Sequence, residues 1–320
     1  MLYCVSQVYL NFSLEVGQKM DQSKLFGAIE AGGTKFVCMV GKNPDDIRKE
    51  ERFLTTSPEE TIEKVLNFFV PFTQNKQLAA VGFASFGPVD LNLTSETYGY
   101  ITTTPKPGWT FVDLRGKIQR ALDVPVAFDT DVNAAAFGEQ YWVDENRLLD
   151  PFIYITIGTG IGVGMIVNGA LLHGLVHTEA GHMFIPHDRK KDPFPGVCPF
   201  HGDCWEGLAS GLSMANRWKQ KPESLSASHN AWELEVDYIA YALVNLIYCY
   251  SPMRIILGGG VSQHAGLHHA VRQKVQHINQ NYLQSPFMIK NIDDYISPPF
   301  LGNRSGGLGA IALARTLVAI

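Results

Sequence analysis

The chain has 320 residues, 46% hydrophobic and 18% charged, with a formal net charge of −5 and five scattered cysteines, Cys4, Cys38, Cys198, Cys204 and Cys249. That length supports two compact lobes with real cores, and the acidic balance argues against a nucleic-acid binder, which needs a basic face to neutralise phosphates. No apolar run approaches the roughly 20 residues that span a bilayer, and an odd, sparse cysteine set is no disulfide framework, so a reducing cytoplasm is expected.

Residues 1–19, MLYCVSQVYLNFSLEVGQK, have no basic start before the apolar stretch and no small-residue cleavage site, unlike a signal peptide. Met20 opens MDQSKLFGAIEAGG as a natural protein start would, so residues 1–23 are expected to be an over-extended reading or a disordered tail. Residues 25–41, LFGAIEAGGTKFVCMVG, read as a hairpin: an apolar β-rich run, a Gly/Thr turn and a second apolar run. AAVGFASFGPVD (79–90) is a buried strand leaving into a Gly-Pro loop, and VPVAFDTDVNAAAFGEQYW (124–142) is a short strand followed by a helix from near Asp131. Asp129 and Asp131 flank that junction, where either would serve as a cap that accepts an N–H two or three residues on. PFIYITIGTGIGVGMIVNG (151–169) repeats the first hairpin's design, which points to a duplicated lobe. QKPESLSASHN (220–230) reads as a surface connection, and ELEVDYIAYALVNLIYCY (233–250) as a long apolar helix. RIILGGGVSQ (254–263) is a strand, a triple-glycine turn and a helix start, and SGGLGAIALARTLVAI (305–320) is a Gly-led terminal helix. Strands alternating with helices make an α/β protein, with the lobes meeting near residue 125.

Gly158-Thr159-Gly160-Ile161-Gly162 is not a dinucleotide fingerprint, because that pattern needs a helix after its glycines and here MIVNG reads as a strand. Gly-Gly-Thr-Lys (32–35) lacks the spacer of a P-loop. A hairpin turn still offers successive N–H groups as a nest for an anion, with Thr34 and Thr159 adding hydroxyls. Each turn alone is equally a plain tight hairpin; two matched turns and the triple glycine at 258–260 favour phosphate. In VCPFHGDCWEG (197–207), Cys198, His201 and Cys204 supply soft and borderline ligands that a short loop wraps around one ion, whereas structural zinc wants four. The alternatives are two buried thiols beside a surface histidine, or a Cys198–Cys204 disulfide. HTEAGH (177–182) and CWEG (204–207) add two carboxylates and a histidine, which by themselves could be solvated surface charges.

In combination, EAGGTK, DTDVNAAAFGE, IGTGIGVG, HTEAGH, CPFHGDCWEG and GGGV resemble the ROK family (repressors, open reading frames and sugar kinases) over roughly residues 25–320. The resemblance implies a two-lobed actin-like ATPase fold of duplicated ribonuclease-H-like lobes with ATP in the interlobe cleft. The lobes would be 24–125, completed by the helix at 305–320, and 126–304 with a zinc loop at 182–204. It implies Asp131 as catalytic base; Gly32, Gly33, Thr34 and Lys35, with Gly158, Thr159 and Gly160, around the phosphates; and Gly259 and Gly260 by the adenosine. Glu179, His182, Glu206 and Asn133 would contact the sugar. His182 would complete the zinc site with Cys198, His201 and Cys204, His187 and His177 being nearby alternatives. Glu30 stands where the family has an aspartate that helps place Mg²⁺, and Thr130 where many members have asparagine. The Cys-x₂-His-x₂-Cys loop is the version associated with bacterial ROK fructokinases, so the implied reaction is ATP- and Mg²⁺-dependent transfer to the 6-hydroxyl of D-fructose by a cytoplasmic homodimer carrying structural Zn²⁺. Glucose or mannose are the alternative hexoses. A sugar-sensing ROK regulator would need a helix-turn-helix, and the residues before FGAIEAGG contain no such pattern. A zinc-ribbon interaction module would leave the glycine turns and Asp131 without a role.

Overall fold

Two hairpins begin two sheets of the same design. In the computed structural model, which describes residues 24–142 and 149–318, β1 (Leu25–Ala31), β2 (Lys35–Asn43) and β3 (Asp46–Leu54) form an antiparallel meander. After α1 (Pro58–Gln74), β4 (Leu78–Ser85) pairs parallel to β1; after α2 (Arg115–Leu122), β5 (Val126–Thr130) pairs parallel to β4. The sheet order is β3-β2-β1-β4-β5. Beyond α3 (Asp131–Tyr141), β6 (Phe152–Ile157), β7 (Ile161–Val167) and β8 (Ala170–Leu171) make a second meander. The chain continues through α4 (Trp205–Ala209), α5 (Gly211–Trp218) and α6 (Ala231–Tyr250) to β9 (Arg254–Gly258), which runs parallel to β6. It then forms α7 (Leu267–Asn279), α8 (Pro286–Ile289), α9 (Ile292–Tyr295), β10 (Ile296–Ser297) and α10 (Ser305–Thr316). The second order, β10-β9-β6-β7-β8, repeats the first, so the architecture is the duplicated, two-lobed actin-like α/β fold that the sequence implied. Residues 1–23 lie outside the described residues.

The lobe boundary needs correction. Val126–Thr130 hydrogen-bonds to β4, so the first sheet extends past residue 125 and the chain leaves it only at α3. The helix α3 lies between the sheets. Its Ala134 and Phe137 join Phe26, Ala28, Ala80 and α10 in one buried cluster, and its Ala135 and Ala136 join Phe152, Tyr154 and Ile166 in another. A helix buried on several faces carries no polar stripe, which explains the run of small apolar residues. The one buried acid near its end, Glu139, accepts the N–H groups of Phe300 (2.8 Å) and Leu301 (3.0 Å) and the Ser305 hydroxyl (2.7 Å), binding α3 to the start of α10. The first sheet's other face is covered by α1 and α2 around Phe36, Phe69, Phe83 and Trp109, and the second sheet's by α4, α6 and α7 around Trp205, Leu243, Ile247 and Val271. Among the described residues no helix is long and apolar enough to cross a membrane.

Backbone contact between α3 and α10 requires glycine at 309, where a Cβ would overlap the Ala134 carbonyl. Gly309→Ala is therefore expected to destabilise the protein by about 1–3 kcal/mol, the usual cost of overpacking a tight core. Thermal unfolding reads this as a fall of several degrees at about 2–4 °C per kcal/mol; an unchanged midpoint would contradict the packing described.

Candidate active site

The N-terminus of α3 organises the site. Thr130 caps the helix, its hydroxyl accepting the Asn133 N–H at 3.1 Å, so neither flanking aspartate is the cap that the sequence allowed. Asp131 accepts only the adjacent Val132 N–H, at 2.9 Å, among its described hydrogen bonds. Burial pushes its carboxyl up to about 7, and the nearby Glu30 and Glu179 carboxylates push the same way. Asp129 is buried and fully engaged: it accepts the Thr130 N–H (2.7 Å), the Asn133 amide (2.8 Å) and the His173 ring (2.9 Å). Asn133, expected among the sugar contacts, takes part in this packing through its amide nitrogen, while its Oδ1 has no hydrogen-bond partner among the described residues. Asn133 is 1% exposed and its amide nitrogen bonds Asp129 at 2.8 Å.

Glu30, at the end of β1, accepts the Gly307 N–H at the start of α10, and burial raises its pKa while the neighbouring Lys35 opposes the rise. A carboxylate at a helix N-terminus is favourably placed. The first Gly/Thr turn follows directly. Thr55 braces it, donating its hydroxyl to Gly32 (2.7 Å) and its N–H to Thr34 (3.0 Å), while Gly33, Thr34 and Lys35 stay exposed and a Cβ at Gly33 would meet open space. The second turn closes with Gly158 N–H to Gly160 (2.9 Å) and is held by the Gly211 N–H to Gly158 (2.7 Å). Thr159 is exposed at its tip. At the end of β9, Gly259 adopts φ +93° against the Ile157 backbone and Gly260 faces open space.

Glu206 links this second turn to the carboxylates. Its Oε2 accepts the Ile161 N–H at 2.9 Å and its Oε1 lies 3.9 Å from His182 Nε2. Glu179 Oε2 lies 4.0 Å from the same nitrogen. Partial burial and Glu206 push Glu179 up to about 7, although 41% of its side chain is open to solvent. Asp131, Glu30, Glu179 and Glu206 thus sit as an acidic group among the turns, suited to accept hydroxyl protons and to face a cation.

The other nitrogen of His182 turns toward sulfur. Its Nδ1 lies 3.6 Å from Cys198 Sγ and 3.5 Å from Cys204 Sγ, and His201 Nδ1 lies 3.6 Å from Cys198 Sγ. All four ligand atoms fall within 4.8 Å of one another. Zn–S bonds of about 2.3 Å and Zn–N bonds of about 2.0–2.1 Å at tetrahedral angles give an S···N edge of about 3.6 Å, so the donor set fits zinc. The cysteines are unpaired, which removes the disulfide alternative. The other two histidines are engaged elsewhere: His187 contacts Asp203 (2.9 Å) and the Asp192 carbonyl (2.9 Å), and His177 accepts the Val89 N–H at 3.1 Å. Gly202 (φ +67°) closes the knuckle through paired backbone bonds with Cys198, and Cys204 caps α4 by accepting the Gly207 N–H at 3.4 Å. The loop rests on a buried pair, Arg217 with Asp192 at 3.0 Å, to which Tyr238 donates at 2.6 Å.

The model of the ROK family matches residues 26–317. The chain belongs to the ROK family. A fructokinase of Streptococcus mutans is 43% identical over 300 residues, covering 93% of this chain and 99% of that protein, and a fructokinase of Lactococcus lactis subsp. cremoris is 42% identical over 296 residues, covering 92% and 98%. Among solved structures, a ROK family glucokinase from Streptomyces griseus in complex with glucose and AMPPNP superposes with a TM-score of 0.68 at 23% identity, covering 91% of this chain and 99% of that one. Within the ROK fold, three groups here escape motif reading: Asp129 with His173, His177 with Val89, and the Arg217–Asp192–Tyr238 support. Each is a pairing distant in sequence. The only local hint was two histidines four residues apart at 173 and 177.

Proposed function

We propose that the protein is an ATP-dependent fructokinase, transferring the γ-phosphoryl of ATP to the 6-hydroxyl of D-fructose to give fructose 6-phosphate. The observation that carries this reading is Asp131: a carboxyl pushed up to about 7, held at the head of α3 and not consumed in capping it. A base whose pKa lies near the working pH combines an ionised population with proton affinity. The two Gly/Thr turns offer backbone N–H groups to the phosphates, and Gly260, which faces open space beside the tightly packed Gly259, leaves room for the adenosine. Mg²⁺ arriving with the nucleotide would neutralise phosphate charge, and Glu30, braced by the Gly307 N–H, is the carboxylate beside the first turn. Glu179, Glu206 and His182 would receive the sugar hydroxyls. His182, Cys198, His201 and Cys204 would hold zinc, whose service is to brace the loop that carries Glu206 and to aim His182. The fructokinase relatives favour fructose among hexoses, and the unpaired cysteines fit the reducing cytoplasm.

The test is a coupled ADP-release assay across fructose, mannose, glucose, glucosamine and N-acetylmannosamine with Mg²⁺-ATP. Fructose is expected to give the highest kcat/KM; a tenfold preference for another hexose would reassign the substrate, and no turnover with any sugar would refute the kinase reading.

A further inference from the structure

The loop between β8 and the turn at Ala180–His182 reaches from the second lobe into the first at two points. His173 and His177 face each other in a bridge at its neck. His173 bonds Asp129 at the end of β5 (2.9 Å), and His177 accepts the Val89 N–H just beyond β4 (3.1 Å). His177 is 6% exposed, and its ring is pressed on Gly87, where a Cβ would lie 3.2 Å from Cε1. Val89 is itself buried and bridged to Ile101, so the donor is rigid.

These contacts determine the tautomer. Because Nε2 accepts a backbone N–H, the ring proton sits on Nδ1. Nδ1 lies 3.4 Å from Glu179 Oε1, with the Thr178 carbonyl at 3.5 Å. A directed chain therefore runs from the first lobe's Val89 amide, through a neutral imidazole, to the Thr178 carbonyl, and it sets the ring beside the Glu179 carboxylate of the sugar pocket. The groups facing the ring are His173, Asp129 and Glu179, and burial lowers its own pKa, which keeps it in the accepting form.

We propose that His177 is a positioning residue for the sugar: by joining the Val89 N–H to the Thr178 carbonyl and packing its ring against Glu179, it holds the Thr178–Glu179 segment at a set place relative to the first lobe. The proposal rests on Glu179 being a sugar contact, as in the function proposed above. It touches neither the glycine turns nor Asp131, so its effect belongs to sugar binding and not to nucleotide binding or the chemical step.

The experiment compares wild type, His177→Ala and His177→Gln, whose amide oxygen can accept the Val89 N–H. Val89 amide exchange, measured without sugar, reports the contact independently of activity. His177→Ala is expected to speed that exchange about tenfold or more, to raise the fructose KM about tenfold, the worth of one well-placed hydrogen bond, and to leave the ATP KM and kcat within about threefold. His177→Gln should return exchange and fructose KM to within about threefold of wild type. A fructose KM within twofold of wild type in His177→Ala, an ATP KM that rises in parallel, or a Gln variant no better than Ala would each overturn the proposal. A wild type that phosphorylates no sugar while Val89 exchange responds as described would sink the functional reading instead.

Discussion

Asp131→Asn is expected to fold normally and to lose about 10²–10⁴ of kcat, the usual worth of a general base. Asparagine keeps the size of the side chain and the acceptor for the Val132 N–H, and Thr130 continues to cap α3, so the helix has no reason to move. What disappears is the group that takes the hydroxyl proton. The wild type should also show its base in the pH profile. With the carboxyl at about 7, kcat/KM for fructose should be level above neutrality and fall about tenfold per pH unit below it, as the proton that blocks the base binds. The residual activity of the variant should lack that limb. Stability runs the other way. A carboxyl that binds its proton more tightly folded than unfolded costs stability once ionised, with no cost below about pH 4 and the full cost above about 7. Asp131→Asn should therefore melt higher than wild type at pH 8 and alike at pH 4. A variant with kcat within tenfold of wild type at saturating fructose and ATP would remove Asp131 from the mechanism.

How far the sequence could be read follows from how local each feature is. Both hairpins were legible because a Gly/Thr turn between apolar runs is self-contained, and α3 because VNAAAFGE has no strand alternation. The lobe boundary was misplaced because Val126–Thr130 reads as a buried strand whichever sheet takes it. Its parallel partner β4 is reached by a long connection with no turn to announce it. The bond from Asn133 to Asp129 was not legible, because it depends on helix phase. Two residues along a helix is a rotation of about 200°, which turns Asn133 away from the face that presents Asp131 and toward Asp129. Three histidines, His177, His182 and His187, stood at distances compatible with a fourth zinc ligand. Only packing separates them: one reaches across the lobes, one lies between Asp203 and Asp192, and one faces both thiols.

Removing the metal site is expected to damage more than the loop that forms it. Cys198→Ser keeps the shape of the side chain but loses a thiolate ligand, so zinc should fall from about one per chain to near zero. The cluster then has nothing to hold two buried cysteines against His182 and His201. Loss of a structural metal belongs with the large destabilising changes; about 3 kcal/mol or more lowers the melting point by roughly 6–12 °C at 2–4 °C per kcal/mol. The functional loss should be double. Cys204 begins α4, and Glu206, two residues on, gives one carboxylate oxygen to the Ile161 N–H at the second glycine turn and the other to the neighbourhood of His182. A slack loop therefore loosens the sugar pocket and a phosphate turn together, and both the fructose KM and the ATP KM should rise, the former about tenfold or more. This separates it from His177→Ala, where the sugar alone is affected. Metal analysis, melting curves and the two KM values on Cys198→Ser and on chelator-treated wild type make the test. Wild-type protein with no zinc, or a serine variant that keeps both KM values and its melting point, would show that the four side chains meet for packing alone.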